Sequence, residues 1–418
     1  MNLLNCVAPM ETTNRNHNRW LIAIAGTLLQ LCLGAVYAWS YFQKPLVETY
    51  GWKNTEVAWT FSFAICFLGL AAAVGGVALP RFGPRKLAIA GSLLYGAGYW
   101  LAAVALHTRS LTLLWIGYGL VGGIGLGLGY VTPVATAAKW FPDKKGLVTG
   151  MVVMGFGFGA LLMSKVIAPA LGAVFHGNLP RVFAAAGTIV GGGALVASLM
   201  LRNPEQAGTT PEHDAGPVLP RLLSARFALL WLIFFCNIAA GIAIIGFQSP
   251  LLQDLWKRME PAADAAKLAA CGATLIAVSS VFNGIGRFFW GGLSDRIGRV
   301  ATFRIMLATQ ILAFVGLMAT GNPWLFGALV CYVLLCYGGG FGTMPSFVLD
   351  EFGSGLMPVM YGCILTAWSA AGVVGPQIVA ALKDRCGASA ATYSFGVGAA
   401  LLATGLLVSL LARPQQRR

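Results

Sequence analysis

Long apolar stretches alternate with short polar breaks along almost the whole chain. Each apolar stretch holds about 20 residues or more, the length of α-helix that crosses about 30 Å of hydrocarbon. Backbone groups buried in hydrocarbon must be paired within their own segment, so stretches of this length must be helices. The pattern therefore predicts an all-α polytopic membrane protein with twelve spans, at 20–42, 55–79, 87–106, 111–138, 147–173, 181–201, 226–251, 266–290, 300–320, 323–348, 358–382 and 390–412.

The longest polar interruption separates the first six spans from the last six. The predicted organisation is an N-terminal tail, a six-helix half, a linker, a second six-helix half and a C-terminal tail, at 1–19, 20–201, 202–225, 226–412 and 413–418. An even number of spans places both tails on one side of the membrane. That side holds 17 of the 28 Lys and Arg residues and the other side holds 9, so the positive-inside rule predicts cytoplasmic tails and a location in the cytoplasmic membrane.

Charged residues are scarce, forming 10% of the 418 residues against about 25% in soluble domains. The cations behind the net charge of +14 sit in short clusters between apolar stretches rather than on one solvated face, so nucleic acid is not an expected partner. The nine cysteines show no metal-ligand spacing, and neither a metal nor a cofactor is expected. The predicted environment is a lipid bilayer, in which we expect the chain to act as a monomer.

A short motif occurs twice along the chain, once in each predicted half. The segment 76–85 recurs as 291–299, displaced by 215 residues, with Gly, Arg and Gly at matching places. Pro133 recurs as Pro345 at the similar offset of 212. Two independent features at nearly the same offset indicate an internal duplication, which in a polytopic protein is typical of secondary transporters.

The second copy, with its Asp-Arg-x-Gly-Arg at residues 295–299, resembles the cytoplasmic loop signature of the major facilitator superfamily. The resemblance implies that the charged residues of this loop cap helix ends and close the inward gate. Pro80 replaces the expected Asp in the first copy, so the gate is not expected to be symmetrical. The gate residues that the resemblance implies are Asp295, Arg296 and Arg299, together with Arg81 and Arg85 of the first copy.

Two further stretches resemble the bacterial oxalate:formate antiporters and the related monocarboxylate transporters, namely residues 139–146 and the Asn-Gly-x-Gly-Arg of residues 283–287. In that group an Arg of the eighth helix binds the substrate carboxylate, and Arg287 matches it. Asn283 lies one helical turn earlier on the same face. The resemblance also implies a substrate cavity lined by the aromatic side chains of Tyr37, Tyr130, Phe156, Tyr337, Phe341 and Trp368.

The physical chemistry of Arg287 supports an anionic ligand without reference to any family. A guanidinium cannot lose its proton and costs about 3 kcal/mol or more near the membrane interior, so it requires an anionic partner. The 14 Asp and Glu residues all fall in tails, loops or span ends, and none is available at that depth. The favoured ligand is a carboxylate held by two parallel hydrogen bonds. The alternative is an Arg that extends to the nearby helix end, because Asp295 is only eight residues further on.

The number of cations in the spans sets the expected substrate class. Lys165 is the other cation within an apolar span, but it lies toward the far face and is a candidate proton-linked group rather than a ligand. In the oxalate exchanger the eleventh helix supplies a Lys for the second carboxylate, and Trp368 stands at the matching position here. One central cation neutralises one carboxylate, which favours a small monocarboxylate such as lactate, pyruvate, acetate or formate.

The predicted function is secondary active transport of a small monocarboxylate by alternating access, with proton-coupled symport favoured over exchange of the oxalate:formate antiporter type. Proton coupling would use the bound carboxylate, a Tyr or Lys165, because Asn283 replaces an acidic residue of the animal transporters and the four His residues fall in tails or loops. The same scarcity of titratable groups argues against an integral-membrane enzyme. A substrate-sensing receptor would add a soluble domain, and a drug exporter would add an intramembrane acid; neither feature is evident.

Overall fold

Twelve helices long and apolar enough to cross a membrane follow one another in the computed structural model, which describes residues 19–141, 145–204, 218–353 and 356–412. The predicted tails and most of the predicted linker, at 1–18, 205–217 and 413–418, lie outside these residues, as does part of the stretch 139–146. The helices are α1 (Arg19–Tyr50), α2 (Asn54–Phe82), α3 (Pro84–His107), α4 (Leu111–Ala137), α5 (Val148–Val174), α6 (Leu179–Met200), α7 (Ala225–Met259), α8 (Ala265–Ile297), α9 (Arg299–Ala319), α10 (Pro323–Phe352), α11 (Met357–Ile364 and Thr366–Cys386) and α12 (Ala390–Leu411).

The number, order and helical nature of the predicted spans are confirmed, and the described part of the chain contains no strand. Several helices run beyond the apolar stretch that predicted them, since polar end residues continue the backbone hydrogen-bond ladder outside the hydrocarbon. The clearest case is α8, which ends at Ile297 rather than near residue 290. Asp295 and Arg296, placed by the sequence in a loop, therefore lie in the last turn of this helix.

The glycine shared by the two copies of the repeat ends a helix in each half. Gly83 follows the end of α2 with φ of 74°, and Gly298 follows α8 with φ of 91°. Side chains rarely tolerate positive φ, so glycine allows the sharp turn into the next helix. The motif therefore encodes the same short connection at the same place in both halves.

Because the spans alternate in direction, residues 19 and 412 lie at the same end of the bundle. We call this end the terminal face and the opposite end the distal face. The distal face carries the connections α1–α2, α7–α8 and α11–α12, and the terminal face carries α2–α3, α8–α9 and α10–α11.

The two halves, α1–α6 and α7–α12, meet mainly along two helix seams, α2 against α11 and α5 against α8, and α1 also contacts α7. Small residues permit close approach in both seams. A Cβ added to Gly157 of α5 would come within 2.9 Å of the backbone of Gly284 on α8. On the other seam, a Cβ at Gly69 of α2 would come within 2.6 Å of the carbonyl oxygen of Leu365 on α11. Such small-residue contacts are how membrane helices pack without a hydrophobic driving force between them.

Within the second half, α8 and α10 approach each other at backbone distance. Gly338 and Gly342 of α10 face the backbone carbonyl oxygens of Asn283 and Arg287, and a Cβ at either glycine would overlap with that oxygen. Only glycine permits such an approach. The glycine-rich segment 338–342 therefore fixes the position of the two α8 residues that the sequence singled out.

Irregular backbone interrupts the helices close to several predicted site residues. A 3₁₀ segment, Gly34–Ala38, lies within α1 and carries Tyr37. α11 is divided at Leu365 between Met357–Ile364 and Thr366–Cys386, shortly before Trp368. Departures from regular α-helix redirect side chains and frequently mark functional positions in a helix.

Candidate functional site

Arg287 lies inside the bundle on α8, ten residues before Ile297 and thus about 15 Å along the helix from the terminal face. The residue is 2% exposed, and none of its three guanidinium nitrogens has a hydrogen-bond partner among the described residues. Its Cζ lies 5.0 Å from the ring centroid of Phe341, a cation–π contact worth about 0.5–2 kcal/mol. This contact offsets only part of the cost of burying the charge, and the buried nitrogens do not extend to the helix end.

An aromatic cluster lies beside Arg287, with three rings from each half. The first half supplies Tyr37 from α1, Tyr130 from α4 and Phe156 from α5, and the second half supplies Tyr337 and Phe341 from α10 and Trp368 from α11. Each of the six side chains is at most 2% exposed. The structure thus brings together all six aromatic residues that the sequence singled out, at the interface between the halves and closed to both faces.

The rings contact one another edge-on around Trp368. Its ring centroid lies 4.7 Å from that of Phe341, 5.2 Å from that of Tyr130 and 5.8 Å from that of Phe156. Edge-to-face packing is the preferred geometry of such pairs and holds each ring in one orientation. Because Phe341 belongs to the second half and the other two to the first, Trp368 bridges the halves through aromatic contacts.

The cluster also contains a hydrogen bond between the halves. The hydroxyl oxygens of Tyr37 and Tyr337 lie 2.6 Å apart, and either can donate. Both groups lie within electrostatic reach of Arg287. One of the two hydroxyl protons remains free to point at a ligand beside the guanidinium.

Several polar atoms of the cluster and of the α8 residues Asn283 and Arg287 have no hydrogen-bond partner among the described residues. Besides the Arg287 nitrogens, these are the Trp368 Nε1, the Tyr130 hydroxyl and the Asn283 Oδ1. Buried polar groups are normally paired, and each unpaired one costs about 1–3 kcal/mol. The donors outnumber the acceptors, so the arrangement is suited to an anion with several acceptor oxygens.

Sequence reasoning missed Tyr361 as a member of this region. Tyr361 is buried on the first segment of α11, beside Tyr130 and within electrostatic reach of Arg287. Its sequence signal is its spacing, since it precedes Trp368 by seven residues and therefore lies on the same face of α11.

Two predicted gate residues of the second half, Asp295 and Arg299, belong to an ion-pair network at the terminal face. The Arg299 guanidinium lies 2.5 Å from the Asp295 carboxylate and 3.1 Å from that of Asp350 on α10, and it also donates to the Ser294 hydroxyl. Asp350 was not anticipated. All four residues belong to the second half, so these contacts tie α8, α9 and α10 together.

The remaining predicted gate residues are exposed at the terminal face. Arg296 lies in the last turn of α8, Arg81 lies in the last turn of α2, and Arg85 lies in the first turn of α3. The Arg81 guanidinium lies 5.6 Å from the ring centroid of its neighbour Phe82. Their role in gating stays a prediction.

The structure does not bring Lys165 into the aromatic cluster. Lys165 is exposed in the distal part of α5, and its Nζ donates to the Thr274 hydroxyl on α8 at 2.6 Å. Thr274 precedes Arg287 by 13 residues, about 20 Å along the helix. Among the described residues there is also no group of three or more His, Cys, Asp or Glu that could hold a metal ion.

Two six-helix halves around an enclosed polar cluster are the architecture of a secondary transporter, with the candidate substrate site near the bilayer midplane. The chain belongs to the Major Facilitator Superfamily, which it matches over residues 20–376. It is therefore a multi-pass membrane transporter of that superfamily rather than an enzyme, as the sequence predicted.

Individual relatives agree with this assignment. The chain is 30% identical to the uncharacterized MFS-type transporter YhjX of Escherichia coli, over 85% of this chain and 86% of that one. It is 27% identical to the oxalate:formate antiporter of Oxalobacter formigenes (90% and 88%) and 25% identical to human monocarboxylate transporter 11 (93% and 82%). The inward-facing, unoccupied structure of a bacterial homolog to the human lysosomal transporter Spinster shares the fold, with a TM-score of 0.69 at 16% identity, over 94% of this chain and 96% of that one.

Proposed function

We propose that the protein transports a small monocarboxylate, of the size of lactate or pyruvate, by alternating access. The observation that carries the proposal is the buried Arg287 guanidinium, whose three nitrogens have no partner among the described residues. A carboxylate supplies the missing charge and accepts two parallel hydrogen bonds from the guanidinium. The unpaired Tyr130 hydroxyl and Trp368 Nε1 provide further donors to the same anion.

The proposal favours one carboxylate per substrate molecule. Arg287 is the cation that faces the cluster, whereas Lys165 is exposed and bonded to Thr274. A dicarboxylate would place its second charge against aromatic rings, where desolvation is unfavourable. The six rings provide an apolar environment that suits a substrate with a short carbon chain.

In the proposed cycle, carboxylate binding neutralises Arg287 and makes closure around the site less costly. Proton-coupled symport is the favoured mode, with the proton carried by the substrate carboxyl or a site tyrosine. A carboxylate exchanger is the second candidate. A transporter that closes more easily with substrate bound than without it favours one-for-one exchange of substrates. The likeness to an oxalate:formate antiporter supports this second mode.

The proposed orientation places the terminal face, and with it both tails, in the cytoplasm, because 17 of the 28 Lys and Arg residues lie on that side. The proposed location is a bacterial cytoplasmic membrane. The ligands of the cluster all come from one chain, so a monomer contains the complete proposed site.

The test is uptake of labelled lactate, formate and oxalate into proteoliposomes, with and without a pH gradient and with and without internal counter-substrate. We expect lactate or formate to be preferred, and Arg287→Gln to reduce uptake by about 100-fold because it removes the charge-assisted pair. Lys86→Gln, which removes an exposed cation from the terminal face at a position that is not a predicted gate residue, is the matched control. Preference for oxalate would contradict the one-cation argument, and full activity of Arg287→Gln would contradict the binding role.

A further inference from the structure

The distal ends of α2 and α11 are joined by one carboxylate. Asp384, near the end of α11, accepts hydrogen bonds from the backbone N–H and the side-chain Nδ2 of Asn54, both at 3.2 Å. It also accepts from the backbone N–H of Thr55 at 3.0 Å and from its hydroxyl at 2.7 Å. A residue of the second half therefore receives four hydrogen bonds from the first half.

The partners of Asp384 are the first residues of α2, where the geometry favours an anion. The first N–H groups of any helix have no partner within the helix, and the helix dipole is positive at that end. Glu56 accepts from the backbone N–H of Lys53, immediately before α2, at 2.8 Å. The next two N–H groups are paired by Asp384, so the start of α2 is complete only while α11 lies against it.

The contact continues along the same seam with a matching register. Gln377 of α11 donates to the Ser62 hydroxyl of α2 at 3.3 Å. Each of these residues lies seven positions deeper in the bundle than Asp384 and Thr55 respectively, as expected for two antiparallel helices in contact over two turns. The carboxylate contact is thus the outermost of a series that follows the α2–α11 seam inward.

Two other helix pairs carry inter-half hydrogen bonds near the distal face. Lys44 of α1 donates to the Gln253 Oε1 of α7 at 3.3 Å. Lys165 of α5 donates to the Thr274 hydroxyl of α8 at 2.6 Å. These single bonds involve flexible lysine side chains, whereas Asp384 holds two backbone groups and two short side chains.

We infer that Asp384 is the residue that closes the distal gate, by capping α2 across the interface between the halves. Rocking the halves apart at the distal face breaks all four hydrogen bonds at once and leaves the carboxylate to water. The inference rests on the alternating access of the proposed function but not on the identity of the substrate.

A matched control lies on the same face. Asp254 of α7 forms an ion pair of 2.6 Å with Lys383 of α11, the residue immediately before Asp384. Both partners of this ion pair belong to the second half, so it does not cross the interface. Asp254→Asn removes the same charge from the same face without affecting the proposed gate.

The test is hydrogen–deuterium exchange, read by mass spectrometry, of peptides that cover residues 53–58 in the full-length protein in nanodiscs. We expect Asp384→Asn to accelerate exchange of the Asn54 and Thr55 amides by about three- to tenfold, because the neutral amide interacts less favourably with the helix start. Asp254→Asn should leave these amides unchanged. Equal acceleration by both variants, or none by Asp384→Asn, would overturn the inference.

A second variant, in the first half, keeps the inference testable if Asp384→Asn fails to fold. Thr55→Val removes one donor to the same carboxylate and should accelerate exchange in the same peptide, by a smaller factor. No acceleration with Thr55→Val, in a protein that elutes as a single species, would also contradict the inference. The exchange measurement needs no substrate, so failure of lactate or formate uptake would refute the proposed substrate and leave this result independent.

Discussion

The hydroxyl groups of Tyr37 and Tyr337 share a hydrogen bond of 2.6 Å that joins α1 of the first half to α10 of the second, beside the buried Arg287. Both side chains are at most 2% exposed. The bond therefore links the proposed ligand site and the contact between the halves. A ligand that competes for either hydroxyl changes the interaction between the halves at the same time.

The first prediction concerns this pair. Tyr37→Phe and Tyr337→Phe should each lower the initial rate of uptake by about fivefold, because a neutral hydrogen bond contributes about 1 kcal/mol. The double variant should lose little more than either single variant, since both remove the same bond. Uptake by the four proteins of this cycle measures the coupling. Tyr95→Phe serves as the control, because the Tyr95 hydroxyl donates to the Leu33 carbonyl oxygen at 3.4 Å within the first half.

Substrate charge can be tested at Trp368. Trp368→Lys places a second cation in the cluster that already contains Arg287, so a dicarboxylate gains a partner for its second charge. We expect oxalate uptake to rise relative to lactate uptake, measured as the ratio of the two initial rates in proteoliposomes. Trp368→Leu, which removes the ring without adding charge, is the control. An equal ratio of oxalate to lactate uptake in both variants would contradict the idea that the number of cations in the cluster selects the substrate charge.

The approach of α8 and α10 makes a prediction about stability. Gly342→Ala would place a Cβ on the carbonyl oxygen of Arg287, and the two backbones would have to separate. Overpacking of this kind costs about 1–3 kcal/mol, so the melting temperature in detergent should fall by several degrees. Gly292→Ala on α8, where a Cβ meets no heavy atom within 4 Å, should leave it unchanged or raise it. Equal melting temperatures of the two variants would show that the close approach of α8 and α10 at Gly342 does not contribute to stability.

The ion-pair network at the terminal face makes the fourth prediction. Arg299→Gln removes the pairs with both Asp295 and Asp350 and should lower stability by about 1 kcal/mol, because these groups are partly exposed. The double variant with Asp350→Asn should lose less stability than the sum of the two single losses, because both single changes remove the Arg299–Asp350 pair. Thermal unfolding of the single and double variants measures this. Strictly additive losses would contradict a stabilising interaction between Arg299 and Asp350.

The membrane spans and the importance of Arg287 were predictable from sequence for physical reasons, whereas the members of the aromatic cluster were implied by the family resemblance. Hydrocarbon requires long uninterrupted apolar helices, and Arg287 stands out because no carboxylate occurs at its depth. The helix ends were less predictable, because polar residues such as those near the end of α8 continue the helix beyond the apolar stretch.

Contacts between the halves could not be predicted from the sequence. Asp384 is separated from Asn54 and Thr55 by about 330 positions, and a carboxylate at a helix end gives no signal of which helix it will meet. The pairing of Asp350 with Arg299 and the position of Tyr361 beside Tyr130 depend in the same way on how helices pack in three dimensions.

The unpaired guanidinium of Arg287 has an electrical consequence. A charge that senses the full membrane potential experiences about 2.3 kcal/mol per 100 mV. When the site opens to one face, water fills the path to that face, and the membrane voltage then falls across the closed side. Switching between the two states therefore moves the charge of Arg287 through the field, even though the residue keeps its place on α8. A bound monocarboxylate cancels this effect. The membrane potential should therefore hold the empty transporter open toward the negative compartment, while a transporter loaded with the carboxylate and no proton reorients without regard to voltage.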